Sequence, residues 1–222
     1  MIKLKSPVPK SDPVVIDPIN WSSNNVVKLP YPEASMNVSF GDVLEKRKTR
    51  RQFKTITKDE VGYLLYMANR TLYRDRNSQG ILTEHRPVIS SGGLHVVECL
   101  VLFPGENVWN RYDSLNHQFQ RLYIDHEKLS NLALNARGFF ETSNIAAVIW
   151  YVGDFTRISG KYDHAQSAMW RDSGAIQATH SLVSEYLNYA FCPLGITGQD
   201  EAQLLSDQRN LLGLGLSLVG LM

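Results

Sequence analysis

The feature that most constrains the fold is the apolar run at residues 145–152, Ile-Ala-Ala-Val-Ile-Trp-Tyr-Val. An unbroken run of this length, rich in β-branched and aromatic residues, predicts a strand that is buried in the core. Helical and extended patterns interleave on both sides of it without a regular βαβ repeat. The predicted class is therefore α+β.

The other elements follow from local patterns. Residues 57–60, Thr-Lys-Asp-Glu, form a capping box ahead of apolar residues at helical spacing. The remaining predictions are a basic helix that frays over 41–53, a polar loop over 73–85, a helical turn and buried strand over 94–103, a hairpin over 109–123, a short helix over 127–136, a long helix over 163–190, a loop over 192–200 and a closing strand over 211–222.

Residues 1–38 differ from the rest of the chain because six prolines fall within them. Proline fixes φ and removes a backbone donor, which disfavours regular helix or central strand. Two interpretations remain open, an extended arm that docks on the domain and a disordered leader. Trp21, Val26, Val27 and Leu29 would give an arm some apolar contact. The predicted organisation is an arm over 1–38 and one domain over 39–222.

Composition excludes several classes. A chain of 222 residues that is 43% hydrophobic can bury one core, and a net charge of +1 argues against a nucleic-acid-binding surface. The longest apolar run, at 211–222, is too short and too rich in glycine to span a bilayer. No secretory signal is visible, so Cys99 and Cys192 are expected to be reduced thiols in a cytoplasmic protein.

Four segments could carry chemistry. In residues 47–51, Arg47, Thr49 and Arg51 offer the guanidinium and hydroxyl groups that bind phosphate, although a solvated basic helix end would look the same. Ser90, Ser91 and Gly92 could close around a flat or phosphorylated ligand, or could simply start a helix.

Lys161 and Tyr162 could act together as a general base and its electrostatic support, or could both point into water. Adjacent helical residues point about 100° apart, so both can face one pocket only at a bend or helix end, which Gly160 would permit. Thr197 and Gly198 lie in a loop that could present bare N–H groups to a ring nitrogen. His95 and Cys192 are expected to be packed, and no zinc, P-loop or dinucleotide motif occurs.

The order of these segments resembles the nitroreductase-fold flavoproteins. Residues 47–53 are similar to their Arg-Arg-Ser-x-Arg-x-Phe opening. Residues 86–98 resemble, without a gap, the Arg-Pro-x-Pro-Ser-Gly-Gly-Ala-Leu-x-Pro-x-Glu stretch of one branch, the SagB/ThcOx-type azoline dehydrogenases. The Lys161-Tyr162 pair, the 108–122 hairpin and the Gly174–Gln177 stretch also match that branch, whereas Ile89, Ser91 and Val96 depart from it.

The resemblance implies a mostly antiparallel sheet flanked by helices, and FMN bound between the subunits of an obligate homodimer. Arg47, Thr49 and Arg51 would hold the phosphate, ribityl chain and ring edge. Ser90, Ser91 and Gly92 would line the flavin from the partner subunit, and Thr197 and Gly198 would approach the ring. Tyr162, supported by Lys161, would take a proton from the substrate.

Three functions are consistent with this resemblance. The leading hypothesis is FMN-dependent dehydrogenation of thiazoline or oxazoline rings in a peptide, within a complex of a cyclodehydratase and its precursor peptide. The second is a generic NAD(P)H-dependent nitroreductase or quinone reductase. The third is a flavin-free structural subunit of a peptide-modifying complex. No bound metal, nucleic acid or membrane is expected.

Overall fold

A seven-stranded antiparallel sheet forms the centre of the protein, in a computed structural model that describes residues 5–21, 25–32, 37–124 and 127–222. The strands are β1 Val8–Pro9, β2 Val26–Lys28, β3 Tyr73–Arg76, β4 Leu82–His85, β5 Val97–Leu102, β6 Asn110–Asp113, β7 Gln118–Arg121, β8 Ala147–Asp154, β9 Tyr162–Asp163, β10 Tyr189–Pro193 and β11 Leu211–Leu221. The central sheet has the order β10-β11-β8-β5-β6-β7-β2, while β1 pairs with β9 and β3 with β4. The helices are α1 Phe40–Lys46, α2 Lys58–Asn69, α3 Glu127–Arg137, α4 Phe155–Lys161, α5 Gln166–Tyr186 and α6 Gln199–Ala202.

Two apolar layers cover the central sheet, and β8 shows how. Successive side chains of a strand point to opposite faces. Ile149 and Tyr151 therefore pack in the layer that contains α2 and α5, and Val148 and Trp150 pack in the layer that contains α3. Every residue of β8 is buried, which explains why its sequence is continuously apolar instead of alternating. The predicted α+β class, with an antiparallel sheet flanked by helices, is confirmed.

Local sequence signals located several elements well. The Thr57 capping box is present with both reciprocal hydrogen bonds. The 109–123 hairpin, the 127–136 helix and the closing strand correspond to β6 with β7, α3 and β11. The turn and buried strand predicted over 94–103 correspond to β5 and to a short 3-10 helix that begins earlier, at Ser91–Gly93.

Three element predictions are wrong, and tertiary contacts explain each. The helix predicted over 41–53 ends at Lys46, because the Arg50 N–H donates to Phe191 and Lys54 pairs with Leu221. The 73–85 segment is the β3–β4 hairpin, whose turn is accommodated by Gly80 at φ +76°. The long helix stops at Tyr186 instead of residue 190, since the following residues form β10 against β11, and Cys192 and Pro193 therefore lie in a strand.

The arm segment contacts the domain wherever it is described. Trp21 and Leu29 are buried, β2 adds an edge strand next to β7, and β1 pairs with β9. Residues 1–4, 22–24 and 33–36 of the predicted 1–38 arm lie outside the described residues. Within the described ranges, no helix is long and apolar enough to cross a membrane.

Candidate active site

Lys161 and Tyr162 stand where α4 ends and β9 begins. Asp154 caps the start of α4, where its carboxylate accepts the Arg157 N–H at 2.9 Å. Lys161 is the last residue of the helix, and Tyr162 is already extended at φ −126° and ψ 137°. This change of conformation turns the two adjacent side chains toward the same point. The helix end required by the sequence argument is therefore present.

Gly92 is the surface that both side chains contact. The Lys161 ammonium donates to the Gly92 carbonyl at 3.1 Å. A Cβ atom added at Gly92 would overlap both the Lys161 Nζ and the Tyr162 hydroxyl. Gly92 also has a φ of +62°, which L residues with a side chain rarely adopt. The fold thus brings together two segments that the sequence separates by 69 residues.

The hydroxyls of Ser90 and Ser91 are engaged by Asp172 of α5. Ser90 Oγ donates to the carboxylate at 2.9 Å, and Ser91 Oγ donates at 2.8 Å. The Ser91 backbone N–H points to both carboxylate oxygens at 2.9 and 3.0 Å. Ser90 Oγ also accepts the His95 N–H at 2.9 Å. The serines therefore fix the shape of the 90–92 loop (Ser90, Ser91 and Gly92).

A buried arginine fixes the chain just after this loop. Arg157 is only 5% exposed, and its guanidinium donates to the Leu94 carbonyl at 2.6 Å and to the Leu82 carbonyl at 3.0 Å. Sequence reasoning singled out neither Arg157 nor Asp172. Nothing near either residue in the sequence indicates its partners, which lie more than sixty positions away.

Burial shifts the pKa values of the pair in opposite directions. Desolvation lowers the pKa of Lys161 below its ordinary value of 10.5. Desolvation raises the pKa of Tyr162 above 10.0, and the negative charge of Asp172 raises it further. The Lys161 Nζ lies 5.5 Å from the centroid of the Tyr162 ring. Both shifts favour the uncharged forms of the two side chains.

His95 and Cys192 are packed, as expected. Desolvation lowers the pKa of His95 to about 4, so its imidazole is neutral at pH 7. Cys192 is buried, and burial raises the pKa of its thiol. Neither group has the exposure or the pKa of a nucleophile or base. Among the described residues, no cluster of three or more His, Cys, Asp or Glu side chains could hold a metal ion.

The N-terminal arm is bonded to the end of α4. The Lys10 N–H donates to the Lys161 carbonyl at 3.0 Å, and the Val14 N–H donates to the Gly160 carbonyl at 3.0 Å. The Lys10 ammonium donates to the Ser159 carbonyl at 2.7 Å. A Cβ atom at Gly160 would lie 2.7 Å from the Val14 carbonyl oxygen. Gly160 therefore makes room for the arm, which is a different role from the bend that the sequence suggested.

The side chains of Arg47, Thr49 and Arg51 are exposed. Their segment is held by Arg50, which forms a bidentate ion pair with Glu185 at the far end of α5. One contact of this pair, from Arg50 Nη2, measures 3.0 Å. With Arg50 bound inward, the two outer guanidinium groups and the Thr49 hydroxyl face solvent. Exposed guanidinium and hydroxyl groups of this kind could contact a phosphate, and they could equally be solvated.

Thr197 and Gly198 lie against the centre of the sheet. The Thr197 carbonyl accepts the Trp150 indole N–H at 3.1 Å. Gly198 is buried at φ +67°, and a Cβ atom there would lie 2.7 Å from the same indole nitrogen. A Cβ atom at Gly213 of β11 would overlap the backbone of both residues. Close backbone approach therefore accounts for both glycines.

Solved structures of other proteins share this architecture. A protein of Ralstonia eutropha JMP134 that is named as a nitroreductase superposes with a TM-score of 0.69 at 17% identity, over 98% of this chain and 96% of that one. This protein adopts the nitroreductase fold. No protein-family model matches the sequence, and no curated protein matches it.

Two other solved structures share this architecture. A protein of Exiguobacterium sibiricum 255-15, also named as a nitroreductase, was solved in complex with FMN and has a TM-score of 0.54 at 16% identity, over 85% of this chain and 90% of that one. The E. coli microcin synthetase McbBCD complex, with truncated pro-MccB17 bound, contains a chain with a TM-score of 0.57 at 16% identity, over 86% of this chain and 75% of that one.

Helix α5 sets the distance between the candidate residues on the nitroreductase fold. The 90–92 loop is bonded to Asp172 near its start, and Arg50 is paired with Glu185 near its end. At a rise of 1.5 Å per residue, these two attachment points are separated by about 20 Å. The basic segment and the Lys161-Tyr162 pair therefore lie at opposite ends of one helix.

Proposed function

We propose that the protein is an FMN-dependent oxidoreductase that dehydrogenates thiazoline or oxazoline rings in a peptide to thiazoles or oxazoles. The observation that carries the proposal is the convergence of the Lys161 and Tyr162 tips on Gly92. A general base needs such a fixed position next to the carbon that loses a proton. The similarity in fold to a chain of a microcin synthetase complex with a pro-peptide bound supports a peptide substrate.

The donor set of the chain fits FMN. Arg47, Arg51 and Thr49 are exposed and would bind the phosphate and ribityl chain. Thr197 and Gly198 would approach the ring with their backbone N–H groups, since the Thr197 carbonyl is already bonded to Trp150. Bound FMN supplies the two-electron acceptor for the hydride that leaves the substrate ring. The structure described with FMN in the same fold supports this cofactor.

The role of the pair is to take the proton. Conversion of an azoline to an azole removes a proton from the ring carbon derived from Cα and a hydride from the neighbouring ring carbon. Sequence reasoning gave the base role to Tyr162, with Lys161 in support. Burial lowers the pKa of Lys161 and so favours its neutral amine, which can accept a proton, whereas burial raises the pKa of Tyr162 and so favours the neutral phenol, which is not a base. We assign proton acceptance to Lys161, with Tyr162 as its partner in orienting the ring.

Two measurements test this proposal. The purified protein is expected to show the visible absorbance bands of oxidised flavin, and a colourless protein would instead support a flavin-free structural subunit. With an azoline-containing peptide, mass spectrometry should show loss of two hydrogen atoms per ring. Lys161→Ala should slow this step by about 10²–10⁴-fold, the usual contribution of a general base, and more than Tyr162→Phe does. Wild-type rates in both variants would refute the role of the pair.

A second candidate is an NAD(P)H-dependent nitroreductase or quinone reductase. The observation that favours it is the TM-score of 0.69 with a protein named as a nitroreductase, against 0.57 for the microcin synthetase chain. This activity would use the same cofactor residues without requiring Lys161 or Tyr162. Rapid NAD(P)H oxidation in the presence of nitroarenes, unchanged in Lys161→Ala, would favour it over azoline dehydrogenation.

The proposed assembly is a homodimer that joins a complex of a cyclodehydratase and its precursor peptide. In the proposed dimer, Ser90, Ser91 and Gly92 reach the flavin that the basic segment of the other subunit holds. The separation of about 20 Å along α5 supports this division, because it keeps the two groups of one chain apart. Since Lys161 and Tyr162 contact Gly92, they would enter the site together with that loop.

A further inference from the structure

Asp172 connects the serine loop to helix α5 and was not identified from the sequence. We propose that Asp172 is a positioning residue that holds the 90–92 loop against Lys161 and Tyr162. Its consequence for catalysis rests on the proposed function, whereas its effect on the geometry of the pair does not. The residue would act through the loop without touching the substrate.

The Asp172 carboxylate is bonded to the 90–92 loop. Asp172 is 5% exposed, and a buried carboxylate is costly unless hydrogen bonds satisfy it. The four contacts described for it come from the Ser90 hydroxyl, the Ser91 hydroxyl and the Ser91 N–H. The position of the loop and the burial of the Asp172 carboxylate therefore depend on each other.

The 90–92 loop in turn forms part of the surroundings of Lys161 and Tyr162. Gly92 follows directly after the bonded serines, and its carbonyl accepts the Lys161 ammonium at 3.1 Å. The space that a Cβ atom would need at Gly92 is taken up by the tips of Lys161 and Tyr162. Withdrawal of the loop would expose both half-buried side chains further to water. Since desolvation is the main cause of both pKa shifts, exposure would reverse both.

The direction of the Lys161 pKa change distinguishes release of the loop from simple loss of the Asp172 charge. Removal of a nearby negative charge lowers the pKa of every neighbouring acid, including an ammonium group. Release of the loop would instead lower the pKa of Tyr162 and raise that of Lys161. Lys10 and Asp163, which form an ion pair at 3.8 Å next to Tyr162, are unchanged in every variant. A rise in the Lys161 pKa is therefore the decisive signal.

The experiment is an NMR titration of the full-length Asp172→Ala variant, with carbon-13 labels in the lysine and tyrosine side chains. Lys161→Arg and Tyr162→Phe identify the two resonances. We expect the pKa of Tyr162 to fall and that of Lys161 to rise relative to the unsubstituted protein. An unchanged or lowered Lys161 pKa would overturn the proposal, because Asp172 would then act by its charge or serve only the stability of the fold.

A matched control is Asp113→Ala. Asp113 is likewise buried, at 7% exposure, and accepts four hydrogen bonds within its own turn and strand, remote from the pair in sequence. This variant should lose stability without moving either pKa. Asp172→Asn, which keeps one acceptor oxygen, and the double variant Ser90→Ala with Ser91→Ala serve if alanine at position 172 prevents folding. Each should raise the Lys161 pKa, and no rise in either would contradict the role of Asp172.

The titration is independent of the proposed activity. If the two pKa values move as expected while the unsubstituted protein forms no azoles, Asp172 positions the pair and the proposed function is wrong. If azoles form and the pKa values do not move in the Asp172 variants, the function stands and the positioning role fails.

Discussion

Replacement of Gly92 by alanine is the most direct perturbation of the candidate site. The added methyl group must displace the tips of Lys161 and Tyr162, which are the mobile ends of side chains and can move at small cost. The backbone must also keep φ at +62°, which costs an L residue with a side chain about 1–2 kcal/mol. The substitution should therefore cost little stability while it disrupts the geometry of the pair.

Gly105→Ala is the matched control for backbone strain. Gly105 has a φ of +75°, and a Cβ atom there would meet nothing within 4 Å. This variant therefore carries the same strain without the overlap. Both variants should lose about 1–2 kcal/mol of unfolding free energy, and each kcal/mol lowers the midpoint of thermal unfolding by about 2–4 °C in a protein of this size.

The assay that separates the two variants is azole formation, measured by mass spectrometry and expressed per bound flavin. Normalisation to flavin absorbance distinguishes a loss of FMN from a loss of proton transfer. Gly92→Ala should lose about 10²–10⁴-fold in rate, the usual contribution of a general base. Gly105→Ala should retain the rate of the unsubstituted protein.

One result would refute this reasoning. If Gly92→Ala unfolds at the same temperature as Gly105→Ala and forms azoles at the unsubstituted rate per flavin, the tips of Lys161 and Tyr162 do not need to meet at Gly92. The catalytic role of the pair would then have to be abandoned, whether or not the protein binds FMN.

Three further predictions concern the N-terminal arm, the assembly of the site and the sensitivity to acid. Deletion of residues 1–17 removes three hydrogen bonds to the end of α4 and should cost about 3 kcal/mol of unfolding free energy, measured by chemical denaturation. Arg51→Ala and Lys161→Ala should each be inactive alone. If each site combines residues of two subunits, coexpression makes about half of the dimers mixed, each with one intact site, so about a quarter of all sites should be active. No recovery of activity would contradict the shared site. Burial lowers the pKa of His180 to about 3 in the folded protein, whereas an unfolded histidine titrates at about 6.5. Between pH 7 and pH 5 only the unfolded chain therefore binds a proton at His180, and the free energy of unfolding should fall by about 2 kcal/mol. His180→Gln should remove that part of the acid sensitivity.

Local signals were sufficient to predict much of the fold. The capping box at Thr57 and the buried strand β8 depend on residues within a few positions of each other, and the structure contains both. The end of α1 and the strand β10 could not be predicted in this way. Both are set by pairing with distant residues, Phe191 with Arg50 and Tyr189 with Leu221, and such pairing overrides helix propensity.

In the candidate site, too, the contacts between distant residues could not be predicted from the sequence. Sequence reasoning selected Ser90 and Ser91 for their hydroxyl groups and Gly92 for its open backbone. In the structure, both hydroxyls are engaged by Asp172, 81 or 82 positions further along the chain. The sequence therefore indicated which residues matter in this loop but not what they bond to. Their hydrogen-bond partner is set by the packing of α5 on the sheet.

The engagement of the serines changes what the loop can do for a ligand. A hydroxyl group that already donates its proton to a buried carboxylate can act toward a ligand only as a hydrogen-bond acceptor. A loop that is fixed in this way holds a rigid carbonyl at Gly92 for the Lys161 ammonium. Rigid placement of a proton-transfer group contributes more to catalysis than a further weak ligand contact does. In the proposed function the serines therefore serve the pair, and the pair supplies a proton-transfer step that the alternative nitroreductase activity would not need.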